Sequence, residues 1–114
     1  MVVLEVQPLP DLPSAAAALF HLDFLPSAAA LLDNGAQCLT LVFTAADHTH
    51  RGWRLAAVQT LAREHAPGRV NALAGGNAAA VAAALAYLGA ADGVTGQYLP
   101  LDDAGAGPVV LAAE

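Results

Sequence analysis

The sequence predicts one α/β domain, a parallel sheet of about four strands with helices on both faces. Short apolar runs alternate along the chain with longer alanine-rich stretches, the order that βαβ units produce. The run at residues 37–44, Gln-Cys-Leu-Thr-Leu-Val-Phe-Thr, is apolar at its centre without strict alternation, as in a strand buried on both faces. A chain of 114 residues, 57% hydrophobic and 12% charged, suffices for a single core that buries about two-thirds of the unfolded surface. The domain is expected to span residues 1–114, with no internal repeat and no linker.

Taken in order, Val2-Val3-Leu4-Glu5-Val6 is the first strand, closed by Pro8, Pro10 and Pro13, which lack the N–H that a sheet or helix needs. Ser14 is expected to cap a short helix over residues 15–20. Ser27 is expected to cap a second over 28–32, stopped by Asp33-Asn34-Gly35. Residues 37–44 form the second strand. The longest helix covers about 49–66 and ends at Pro67-Gly68, and Arg69-Val70-Asn71-Ala72-Leu73-Ala74 is the third strand. Gly75-Gly76-Asn77 turns it into an alanine-rich helix reaching about residue 90, which Asp92-Gly93 breaks. Residues 98–101 are the fourth strand, and the Gly/Pro-rich stretch 104–108 opens a loosely defined tail.

Composition excludes several classes. With 29 alanines and 18 leucines against four arginines and no lysine, the chain is too apolar and too weakly charged for a disordered segment. A formal charge of −6 with no Lys/Arg cluster leaves nothing to displace counterions from phosphates, so no nucleic-acid partner is expected. The longest apolar stretch, residues 78–91, falls short of the roughly 18 residues that span a bilayer. Glu5 stands where a signal peptide carries basic residues, so a cytoplasmic protein with no membrane contact is expected. Cys38 is the only cysteine; it forms no internal disulfide and no Cys-based zinc site, and reads as a buried spectator thiol.

Leu61-Ala62-Arg63-Glu64-His65-Ala66-Pro67 followed by Arg69-Val70-Asn71-Ala72-Leu73-Ala74 resembles the helix and strand of short-chain dehydrogenase/reductases, whose usual text is L-A-x-E-L-A-P and then R-V-N-A-V-A-P-G. Tyr87-Leu88, Val94-Thr95-Gly96-Gln97 and Leu99-Pro100-Leu101-Asp102 are similar to the family's closing F-L-x-S-D, V-T-G-Q and V-D-G-G. The motifs carry the match over residues 55–105; over residues 1–54 it rests on the order of elements. The resemblance implies a truncated Rossmann-like three-layer fold matching the family's C-terminal half. Its strands would be ordered as the family's fourth to seventh, with two to three helices on one face. One helix would lie on the other, reached by a left-handed crossover. The family's glycine-rich dinucleotide turn belongs to elements with no counterpart here, and Gly105-Ala106-Gly107 runs into Pro108 without a strand-turn-helix around it.

The resemblance also places the catalytic positions. The family's Tyr-x-x-x-Lys falls on Asp47 and Arg51. An ionised carboxylate cannot donate the proton that a phenol gives to an alkoxide, and arginine cannot play a tunable lysine's part. The serine position falls near Thr44, the nearest hydroxyl. No catalytic residue is therefore expected, and no cofactor, with NAD(P) as the alternative.

Two polar clusters remain. Asp47-His48-Thr49-His50-Arg51 lies between a strand's carboxyl end and a helix, where open α/β sheets place ligands. It reads as an anion or metal site, with an anion favoured, or as a helix cap at Asp47 or Thr49 with both histidines facing water. On a helix His48 and His50 lie about 200° apart, so both cannot reach one metal unless the turn is extended. Gly75, Gly76 and Asn77 could present backbone N–H groups to a phosphate, or form a tight turn that only glycine tolerates.

The long helix carries apolar residues around more than half its circumference, including Trp53, Leu55, Val58, Leu61 and Ala62, and these five are the expected interface. The resembling family pairs its two central helices with those of a second subunit. A homodimer or homotetramer is therefore expected, or a heteromer with a full-length reductase. The expected function is that of a non-catalytic structural or accessory subunit. The alternative is a residual NAD(P)-linked oxidoreductase or nucleotide- or anion-binding protein whose site oligomerisation completes.

Overall fold

The computed structural model describes residues 1–102. The expected tail at 104–108 and Gly105-Ala106-Gly107 lie outside them. The elements are β1 (Val2–Glu5), α1 (Pro13–Asp23), α2 (Leu25–Asp33), β2 (Cys38–Phe43), a 3₁₀ turn (His48–His50), α3 (Arg51–Glu64), β3 (Arg69–Gly75), α4 (Ala78–Ala90) and β4 (Tyr98–Leu101). All strands are parallel and lie in the order β1-β2-β3-β4, with Leu41 paired to Leu4 on one side and Ala72 on the other. This is the expected α/β sheet in the expected strand order.

Period-two alternation divides the side chains between faces. Leu39, Leu41 and Phe43 of β2 join Val70, Ala72 and Ala74 of β3 on one face. There they form a single core with Phe20, Ala28 and Leu32 of α1 and α2 and Ala57, Val58, Leu61 and Ala62 of α3. Phe20 anchors it, its ring 5.4 Å from Phe43 and 5.5 Å from Trp53. Leu73, of opposite parity, is fully buried, as is Leu88 of α4, so among the described residues α4 is the helix on the second face. That face is thinly covered over β1, where Val3 is 41% exposed.

Two expected caps are corrected. Leu12 and Phe24, not Ser14 and Ser27, hold the N-cap positions, with no side-chain bond and a proline in each first turn. Pro13 and Pro26 sit where a helix needs no N–H donor, so the helices start before the serines. Helices α1 and α2 are therefore longer than expected and meet at Phe24, whose N–H donates to the Phe20 carbonyl. Together Pro13–Asp33, 21 residues, are long and apolar enough by length and composition to cross a membrane, which counting unbroken apolar runs did not find. In this fold Ala16, Phe20, Ala28 and Leu32 of that segment are buried against the rest of the chain. At the far end of α4, Arg69 Nη1 donates to the carbonyls of Leu88 (2.8 Å) and Ala91 (2.7 Å), satisfying oxygens that a helix terminus leaves open.

Candidate functional site

The segments after β1 and β2 and the start of α3 enclose a cleft of about 290 Å³ at the carboxyl edge of the sheet. It is lined by residues 9–11 and 44–47, His50 and Arg54. Both polar clusters of the sequence lie at this edge.

Asp47 is a cap. Its carboxylate accepts the Thr49 N–H at 2.9 Å and the Thr49 hydroxyl. These bonds, the hydroxyl's foremost, hold its carboxyl below the ordinary aspartate value, because they favour the charged form. Asp47 is thus an exposed, ionised acceptor with no proton to give near neutrality.

His50 does not face water. It is 5% exposed, its Nε2–H donating to the Asp11 carbonyl at 2.8 Å while its Nδ1 accepts the Trp53 indole N–H at 3.1 Å. With both ring nitrogens hydrogen-bonded, the imidazole has no free nitrogen for a metal or an anion. His48 and Arg51 are exposed. Among the described residues no three His, Cys, Asp or Glu side chains converge. The structure therefore separates the five-residue cluster into a cap (Asp47 with Thr49), a core histidine and two solvated side chains, His48 and Arg51.

The glycine turn is explained by packing. Gly75 and Gly76 have φ of +75° and +82°. A Cβ on Gly75 would meet that of Ala45 at 3.2 Å, and one on Gly76 that of Leu101 at 2.9 Å. Glycine is required by conformation and by space. Asn77 caps α4, its side-chain oxygen accepting the Ala80 N–H at 2.8 Å.

Of the expected interface residues, Val58, Leu61 and Ala62 are buried within the chain's own core, at 0%, 1% and 9% exposure. Their apolarity serves the contact of α3 with the sheet, chiefly β3 and β4, and with α1. Trp53 and Leu55 are half-buried. Trp53 lines a mostly apolar groove of about 300 Å³ with His21, Leu25, Ala56, Thr60 and Glu64, and Leu22, on α1, is 74% exposed. Cys38 is half-buried rather than enclosed.

Arg54 is a site residue that the sequence hides among surface charges, although it shares one helical stripe with Val58 and Leu61. Arg54 is 2% exposed. Its Nη1 donates to the Thr44 carbonyl (2.9 Å) and the Tyr98 hydroxyl (3.1 Å), and its guanidinium lies over the Phe43 ring, 4.4 Å from the centroid. Its Nε is buried with no partner, and it forms no ion pair among the described residues.

Residues 4–101 match the family model described as SDR-like, short chain dehydrogenase-like protein. No curated protein and no solved structure matches the chain.

Proposed function

The chain belongs to the SDR-like family of short chain dehydrogenase-like proteins, and we propose that it is a non-catalytic member acting as an oligomeric structural or accessory subunit. The observation that carries this reading is the state of Asp47. The resemblance puts the family's proton-donating tyrosine at this position, and a carboxylate held ionised by Thr49 cannot protonate an alkoxide. Arg51, at the lysine position, is exposed and presents a planar guanidinium where the family has a compact amine. The reading needs no nicotinamide cofactor.

The partner is a second copy of this chain, meeting it along α1, α2 and α3. The apolar groove beside Trp53 and the exposed Leu22 support that face, and it corresponds to the family's paired helices. Titration of the purified chain with NADH and NADPH tests the absence of a cofactor. The expected result is no saturable change in nucleotide fluorescence up to about millimolar concentration. Saturable binding would replace this reading with that of a residual oxidoreductase or nucleotide-binding protein.

A further inference from the structure

A buried arginine without a counter-ion is costly unless something completes it. In Arg54 the hydrogen-bonding capacity divides by edge. Nη1 is taken by Thr44 and Tyr98, and the face of the guanidinium lies on Phe43. The in-plane edge formed by Nε and Nη2 makes no hydrogen bond among the described residues, and Nε is closed off from water. Two parallel N–H groups on that edge match the two oxygens of a planar carboxylate.

We propose that the cleft between residues 9–11 and 44–47 binds a small monocarboxylate, held side-on by Nε and Nη2 of Arg54. The cleft, about 290 Å³, lies at the small end of the range of small-molecule sites. Asp11 and Asp47 on its walls disfavour a doubly charged phosphate more than a single negative charge. Nε is closed off in this structure, so the proposal requires the exposed Ala45 and Ala46 to move aside on binding while the Thr44 carbonyl stays on Nη1. His50 cannot compete for the ligand, because both its ring nitrogens are already bonded. The site needs no chemistry at Asp47 and is independent of whether the chain is catalytic.

The test uses the full chain labelled with ¹⁵N. Its four arginines give a small set of Nε–Hε resonances, assigned by through-bond experiments, to which sodium acetate is added at constant ionic strength against sodium chloride. The proposal expects the Arg54 resonance to move saturably, with half-saturation on the order of millimolar acetate, while those of Arg51, Arg63 and Arg69 hold still. No saturable movement up to about 0.1 M, an equal response to chloride, or a response centred on Arg51 would each overturn it.

Discussion

Arg54 Nη1 donates to the Tyr98 hydroxyl at 3.1 Å, a buried contact between α3 and the last strand across 44 residues of sequence. The same nitrogen holds the Thr44 carbonyl at the end of β2, so one side chain ties three elements together. Tyr98→Phe removes one of these bonds and is expected to cost about 1 kcal/mol. Arg54→Lys replaces a planar group that both stacks and bridges with a compact point charge, and should cost more, about 2 kcal/mol. Urea unfolding monitored by circular dichroism reads both.

The glycine turn predicts a contrast between two alanine substitutions. Gly76→Ala forces a side chain into φ +82° and against Leu101, and should destabilise by about 1–3 kcal/mol. A Cβ on Gly93 would meet nothing within 4 Å, so Gly93→Ala should stay within about 0.5 kcal/mol. Thermal unfolding of the two variants side by side checks the difference.

Asp47 sets a pH dependence whose sign follows from its lowered pKa. A carboxylate more acidic in the folded state than in the unfolded one stabilises the fold above its unfolded pKa. That stabilisation is lost as pH falls through the folded value. The wild type should therefore exceed Asp47→Asn in melting temperature near neutrality, and the two curves should converge below about pH 4. Melting scans from neutral to acid pH provide the comparison.

The two histidines of the cluster should behave oppositely. His50→Ala leaves the Trp53 N–H without its acceptor and the Asp11 carbonyl without its donor, and should cost about 1–3 kcal/mol. His48→Ala, at an exposed position, should stay within about 0.5 kcal/mol. Trp53 is the only tryptophan, so its fluorescence reports unfolding and should shift only in the His50 variant.

The sheet was legible in the sequence because its signals are local. The apolar run at Cys38–Phe43 and the punctuation at Pro67-Gly68 and Gly75-Gly76 each act within a few residues of the element they border. Helix starts were less so. Ser14 and Ser27 have the chemistry of caps, but the preceding prolines belong to the first turn and move the true start upstream. The site was legible only in part. Asp47 capping follows from sequence spacing, whereas the burial of His50 depends on the Asp11 carbonyl, 39 residues away. Arg54 reads as one more charge on a helix until Tyr98 and Thr44 are brought to it by the fold. The apolar breadth of α3 was read correctly as a pattern. Much of it faces the sheet, chiefly β3 and β4, where Val58, Leu61 and Ala62 are buried within one chain.

The most direct test of a subunit role is the native mass of the protein drawn from its own cells, with co-migrating chains identified. A simple multiple of 11.4 kDa, falling to the single-chain mass when Leu22→Glu places a charge on the exposed α1 surface, is the expected result. A wild-type protein that runs as one 11.4 kDa chain at all concentrations, with nothing bound, would contradict it.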